Sequence, residues 1–179
     1  MTRTAKTYGG ALYDLACDEQ LTDALLPQLN EVCTILADNP DYLRLLCTPS
    51  IPKEERRRLI DEAWGEQVHP YICNFMKLLC DNGTLREFPE CAREFRSRYN
   101  ADRGIVEVCA ITAVALSAEL CAKLQKKLEA VTGKRVELHT RVDERVIGGV
   151  RLEMAGRQLD GTVSSHLAQI QKLLQSTVL

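Results

Sequence analysis

The sequence predicts an α+β protein: an N-terminal six-helix bundle, then a small α/β domain with a mixed sheet and a closing helix. Three observations carry that prediction. Apolar residues recur at three- and four-residue spacing through roughly the first hundred positions. Proline and glycine divide that stretch at Pro40, Pro49, Pro52, Gly65, Pro70 and Gly83. From Ile105 the period falls to two, which marks strands and a domain boundary, giving domains 1–103 and 104–179.

Each helix has its own signal. Ala5, Tyr8, Leu12 and Leu15 form one stripe, and Leu21, Leu25, Leu29, Val32 and Leu36 form the next, widened by Leu26 and Cys33. Asn39 is expected to cap a short third helix with Pro40 at its first position and Leu43, Leu46 and Cys47 along it. Ser50 is expected to cap a charged fourth helix that points Leu59, Ile60 and Ala63 inward and ends at a left-handed Gly65. A fifth starts near His69-Pro70 and is the most apolar, with Ile72, Phe75, Met76, Leu78 and Leu79 on more than one face. Asn82-Gly83 stops it. Thr84-Leu85-Arg86-Glu87 has the form of a capping box, opening a sixth helix that buries Leu85, Phe88, Ala92, Phe95 and Tyr99.

Ile105–Ile111 reads as a strand. Ser117 then caps a helix with Leu120, Leu124, Leu128 and Val131 on one stripe, ended by Gly133. Val136, Leu138, Thr140 and Val142 alternate with Arg135, Glu137, His139 and Arg141 along a second strand, so the three elements make a βαβ unit. Val150–Met154, a turn at Ala155-Gly156 and Arg157–Asp160 read as a hairpin. A final helix carries Val163, Leu167, Ile170 and Leu174 on one side.

Composition narrows the function. The 179 residues are 45% hydrophobic and 27% charged with net charge -2, and a pI near 6.0 gives no basic footprint for nucleic acid. No stretch approaches the roughly 20 apolar residues of a membrane span, and no signal-peptide core follows the N-terminus, so the expected location is cytoplasmic. The eight cysteines include no C-x-x-C pair, and most sit among apolar helical residues as small hydrophobes.

Catalytic and metal signals are poor. Thr132-Gly133-Lys134-Arg135 lacks the upstream glycine and the hydroxyl of a phosphate loop, so Gly133 reads as a helix cap. His69 and Cys73 are two ligands at most, and Pro70 starts the helix after His69. His139 sits on the polar face of a strand, and His166 among serines. Lys53–Arg58 mixes both signs and reads as a solvated face. Ile147-Gly148-Gly149 permits positive φ ahead of the hairpin. No cofactor, metal or small-molecule substrate is expected.

Two stretches carry a family resemblance. Tyr8-Gly9-Gly10-Ala11-Leu12-Tyr13-Asp14-Leu15-Ala16 resembles the opening helix of ATP synthase delta subunits. Val136–Leu152 resembles that family's C-terminal signature, with Val142-Asp143 and Ile147-Gly148-Gly149-Val150, followed by Asp160-Gly161-Thr162-Val163. The mitochondrial relative is the oligomycin-sensitivity-conferring protein. Gly9 and Gly10 depart from the family's preference for helix formers, and are expected to loosen the first helix by about 1 kcal/mol each relative to Ala.

The resemblance implies a non-catalytic stator subunit at the cytoplasmic face of the bacterial cell membrane, joining the catalytic head to the peripheral stalk. It implies that the helical domain holds the N-terminal helix of an alpha subunit in a groove between the first and fifth helices, and that the C-terminal domain meets the end of the b subunit. Laid onto this chain, the groove falls on Tyr8, Ala11, Leu12 and Leu15 with Phe75, Met76, Leu78 and Leu79, and the small Gly9, Gly10 and Ala11 would admit the partner's backbone. The C-terminal motif falls on Asp143, Ile147, Gly148, Gly149, Asp160 and Gly161. Two rival classes share parts of the pattern: a helical adaptor of another complex, which would lack the Val136–Leu152 signature, and a cysteine-dependent enzyme, which needs one thiol of depressed pKa.

Overall fold

The computed structural model describes residues 2–146 and 149–154, with the backbone of 157–162. Ile147, Gly148, the predicted turn at Ala155-Gly156 and the predicted closing helix lie outside the described residues. The chain divides into two compact units, Met1–Tyr99 and Asn100–Leu179.

The first unit holds α1 (Arg3–Asp18), α2 (Thr22–Asp38), α3 (Pro40–Leu46), α4 (Lys53–Trp64), α5 (Pro70–Asp81), a single 3₁₀ turn (Leu85–Glu87) and most of α6 (Phe88–Asp102). The expected inner stripes meet in one continuous core, in which Leu25, Leu29, Leu46, Ile60, Ile72, Met76, Leu79, Leu85, Phe88 and Phe95 are fully buried. Tyr13 meets Phe95 edge-on at a centroid distance of 5.2 Å, and Phe75 leans on Phe88 at 5.8 Å. Such pairs stabilise by about 0.5–1.5 kcal/mol beyond their area.

Several helix ends differ from expectation. Asn39 precedes α3 but makes no side-chain cap; its Nδ2 donates backwards to Ile35 O at 2.9 Å, closing α2 instead. Ser50 does not cap α4, whose N-cap position is held by Pro52. Gly65 follows α4 in right-handed conformation, φ −57, not left-handed. Thr84 makes no capping box, because its hydroxyl donates to Leu79 O at 3.4 Å and the chain takes a 3₁₀ turn before α6. Pro27 lies inside α2, where it removes one backbone bond without ending the helix. α1 closes on Gln20 with positive φ, 57, and Leu21 N bonds back to Ala16 O at 2.8 Å. The Asn39 and Thr84 side chains thus donate to a carbonyl of the preceding helix rather than capping the next one.

The second unit holds β1 (Ile105–Thr112), α7 (Ala118–Thr132), β2 (Arg135–Val142), β3 (Gly149–Met154) and β4 (Arg157–Thr162). Its sheet runs β2-β1-β3-β4 and is mixed: β1 pairs parallel with β2 and antiparallel with β3, and β3 pairs antiparallel with β4. Ser117 caps α7 as expected, accepting from Leu120 N at 3.3 Å, and Gly133 ends it at φ 64. The α7 stripe is not buried as expected: the helix has no fully buried residue, and Leu120 and Val131 are exposed. Alternation along β2 holds at Val136 and Leu138 and lapses at Thr140 and Val142, both exposed.

Candidate functional site

The eight residues predicted for the α1–α5 groove separate into two sets. Leu12, Phe75, Met76 and Leu79 are buried and belong to the core. Ala11 is exposed, Leu15 and Leu78 are 41% and 46% exposed, and Tyr8 is half-buried. A helix positions each: Tyr8, Ala11 and Leu15 follow one another at three- and four-residue steps along α1, and Leu78 stands off the buried face of α5. Tyr8 Oη accepts from Asn82 Nδ2 at 3.1 Å, which ties α1 to the residue that closes α5.

Gly9 and Gly10 are buried, so they do not offer a partner helix access. A Cβ at Gly9 would stand 2.5 Å from Cys91 O and 3.0 Å from Glu94 Cβ, so this glycine lets α1 approach the backbone of α6. At Gly10 the Cβ would meet the Arg98 guanidinium, which lies across it, Nε on Glu94 at 3.1 Å and Nη1 on Asp14 at 3.2 Å. Their helix-loosening cost therefore accompanies close helix–helix packing.

The other flank of Leu78 is charged. Glu54, Arg57, Arg58, Asp61, Asn74, Lys77 and Asp81 line a shallow depression of about 510 Å³ with it, between α4 and α5. Four of these charges pair with one another. Arg57 Nε donates to Asp81 Oδ2 at 3.0 Å, and Lys77 pairs with Asp61. The hydrogen bond from Arg57 holds the Asp81 carboxyl below its ordinary range, and that from Lys77 does the same to Asp61.

Arg56 corrects the reading of Lys53–Arg58 as a wholly solvated face. It is buried, and its Nη1 donates to Leu46 O at 3.2 Å and Cys80 O at 3.4 Å, meeting the carbonyl ends of α3 and α5. The sequence held the signal: Arg56, Ile60 and Trp64 recur every four residues on the inner stripe of α4.

Four thiols are shifted, Cys33, Cys73, Cys80 and Cys91, and burial pushes each upward, Cys33 and Cys91 to about 11. A nucleophilic cysteine needs the opposite direction. His69 Nδ1 accepts from Tyr71 N at the start of α5, and Cys73 Sγ points to Asp61 Oδ1 at 3.5 Å, so the two do not converge.

In the second unit Asp143 closes β2: its N donates to Thr112 O at 2.9 Å, and its Oδ1 accepts from Arg145 N at 3.0 Å. Gly149 opens β3 with φ 85, a conformation that suits glycine. Asp160 and Gly161 lie in β4, opposite Arg151 and Val150. Among the described residues, no helix is long and apolar enough to cross a membrane.

Comparison with known proteins shows what the chain is similar to. The family model for the ATP synthase delta (OSCP) subunit matches residues 4–174. ATP synthase subunit delta of Alkaliphilus metalliredigens is 33% identical, with 97% of each chain covered. That of Moorella thermoacetica is 31% identical, with 91% of each covered. A chain of the Toxoplasma gondii mitochondrial ATP synthase hexamer shares the fold, with a TM-score of 0.77 over 98% of each chain at 18% identity.

Proposed function

The chain belongs to the ATP synthase delta (OSCP) subunit family, and we propose that its helices hold the N-terminal helix of an alpha subunit while its second domain takes the end of the b subunit. As a member of that family it is a non-catalytic stator subunit that links the catalytic head to the peripheral stalk. The partner-holding parts are the six-helix bundle of domain 1–103 and the α/β domain of 104–179. The complex is reached from the cytoplasmic face of the bacterial membrane, through partners and without insertion.

The observation that carries the alpha-binding assignment is the exposure of Leu15 and Leu78 on α1 and α5, with Ala11 exposed and Tyr8 half-buried beside them. The requirement is resistance to torque. A contact of nanomolar affinity corresponds to about -12 kcal/mol. Burial returns roughly 25 cal/mol per Å², and ordering costs several kcal/mol, so the interface must be preformed and cover on the order of 1,000 Å². Met76 and Leu79 are fully buried in the core, so the Leu78 side chain stands on a helix already packed in place. Of the C-terminal motif Asp143, Ile147, Gly148, Gly149, Asp160 and Gly161, Asp143 follows β2 and Gly149 opens β3 in the domain that would take the b subunit.

The test is calorimetric titration of the full chain with a synthetic peptide copied from the first residues of the alpha chain. Binding at micromolar or better affinity is expected. Leu78→Asp and Leu15→Asp should each weaken it on the order of 10- to 30-fold, about 1.4–2 kcal/mol. No measurable affinity in the unsubstituted chain would overturn the assignment.

A further inference from the structure

The N–H and C=O of successive strand residues point to opposite sides, so an edge strand turns its outer groups outward at every second residue. β2 is an edge of the sheet, and two observations fix which residues those are. Asp143, one residue past β2, donates its N to Thr112 O at 2.9 Å, which sets the odd-numbered residues on the β1 side. Val136 turns both groups the other way, toward α7: its N donates to Glu129 Oε1 at 3.2 Å and its O accepts from Gln125 Nε2 at 2.9 Å. The outward set is therefore Val136, Leu138, Thr140 and Val142.

α7 seals the first of these. Among the described residues, no strand pairs with the outer side of the other three. Leu138 is half-buried, and Glu137, His139, Thr140, Arg141 and Val142 are exposed. An open edge of this kind is a template for another strand.

The strand whose charges fit this edge is β2 itself, run antiparallel. Outward residues can bond only to outward residues, so a two-fold axis must pass through a residue position. An axis at Leu138 sets Arg135 against Arg141, and one at Thr140 sets Glu137 against Asp143 and His139 against Arg141. One at Arg141 sets that residue against itself. Like charges directly opposite are destabilising. An axis at His139 instead sets Glu137 against Arg141 on both sides, in the non-hydrogen-bonded pairs where facing side chains come closest. Leu138 then faces Thr140, and their backbones exchange hydrogen bonds on both sides of the axis. Past Thr140 the incoming strand meets Gln125 and Glu129 over Val136, so α7 keeps the ladder short. Such a contact falls in the size class of weak, transient complexes. We propose that two copies of the free chain join through the β2 edge as an antiparallel pair, with the two-fold axis at His139 and Glu137 of each copy against Arg141 of the other.

The test is sedimentation equilibrium of the full chain from about 10 μM to about 1 mM, where a monomer–dimer equilibrium is expected for a contact of this class. Thr140→Pro removes an outward N–H and leaves the bonds to β1 in place, so it should weaken association at least about tenfold while amide protection across Val108–Thr112 is retained. Glu137→Arg and Arg141→Glu should each weaken association to a similar degree. The double variant should recover the association of the unsubstituted chain, because the pairs re-form with their signs exchanged. His139→Cys should give a cross-link between copies at that position in oxidised glutathione, read by peptide mass spectrometry, since facing residues of a non-hydrogen-bonded pair lie about 4.5 Å apart at Cα. A chain that stays monomeric at about 1 mM would overturn the proposal. So would association indifferent to Thr140→Pro, or charge variants that the double substitution does not repair. If the proline also costs amide protection in β1, the charge exchange decides.

Discussion

The two units of the chain hide apolar surface to very different degrees. In the first, the helices share one core, and Leu15, Leu45 and Leu78 are its exposed large apolar side chains. In the second, the buried apolar residues among those described are Val108, Ala110, Ile111, Val136 and Val146, while Val114, Leu120, Val131 and Val142 stand exposed. The helical unit buries most of its large apolar side chains in its own core, and its few exposed leucines stand outside it. The second unit keeps apolar surface uncovered by its described elements, so its order depends more on what packs against it.

The largest effect that sharpens this contrast comes from truncating one apolar side chain in each unit. Phe95→Ala removes a fully buried ring that Tyr13 meets edge-on, and should cost about 3–5 kcal/mol in urea unfolding followed by the emission of Trp64, the single tryptophan. Val131→Ala, at a site 86% exposed, should change the stability of the second unit by no more than about 0.5 kcal/mol, read from amide exchange in β1. A cost above about 1 kcal/mol at Val131 would break the comparison.

That contrast was only half legible in the sequence. Stripes at three- and four-residue spacing placed α1, α2 and α5, because burial on one face writes itself into composition. The same signal could not separate Leu12 and Met76, which are core, from Leu15 and Leu78, which are exposed, since both kinds are apolar. Telling them apart needs to know which helix lies alongside. Gly9 and Gly10 read as weak points of a helix, yet the structure sets them under Cys91 O and Arg98, long-range neighbours that no local window contains. The caps failed for a related reason: the Asn39 and Thr84 side chains had several backbone groups within reach, and spacing does not say which one prevails.

Next in size is the buried guanidinium. Arg56→Ala leaves Leu46 O and Cys80 O without their charged donor, and should cost about 1.5–3 kcal/mol in the same unfolding experiment. Arg56→Lys should recover only part of it, because a single ammonium on a shorter stem does not reproduce the planar fork. Full rescue by lysine would mean that charge alone, and not the shape of the donor, closes the ends of α3 and α5.

The glycine pair offers a smaller and more discriminating comparison within one helix. Alanine gains about 1 kcal/mol of helix propensity at either position. At Gly9 the added methyl meets a backbone carbonyl that can retreat only by moving α6, a strain of about 1–3 kcal/mol, so Gly9→Ala should be net destabilising. At Gly10 it meets the end of the flexible Arg98 side chain, which can swing aside, so Gly10→Ala should be neutral or stabilising by up to about 1 kcal/mol. Equal effects at the two positions would show that α1 is not held at this distance from α6.

The smallest effect lies on the charged flank of Leu78. Asp81 is held below its ordinary value of 3.8 by its hydrogen bonds with Arg57, and Asp61 is lowered in the same direction by Lys77. A carboxyl whose native value is depressed binds fewer protons in the folded state. Its contribution is therefore complete above the unfolded value and is lost as pH falls through the native one. Asp81→Asn should lower the melting temperature slightly at pH 7, and the gap to the unsubstituted chain should narrow as pH falls below the ordinary carboxyl value and close once it is well below the depressed native one. Because Arg57 is half-exposed, added salt should shrink the gap at neutral pH as well. A gap that persisted in acid after the carboxyls have titrated would mean that Asp81 acts through its shape in the α4–α5 depression, and that the flank of Leu78 is held by packing where the geometry shows ion pairs.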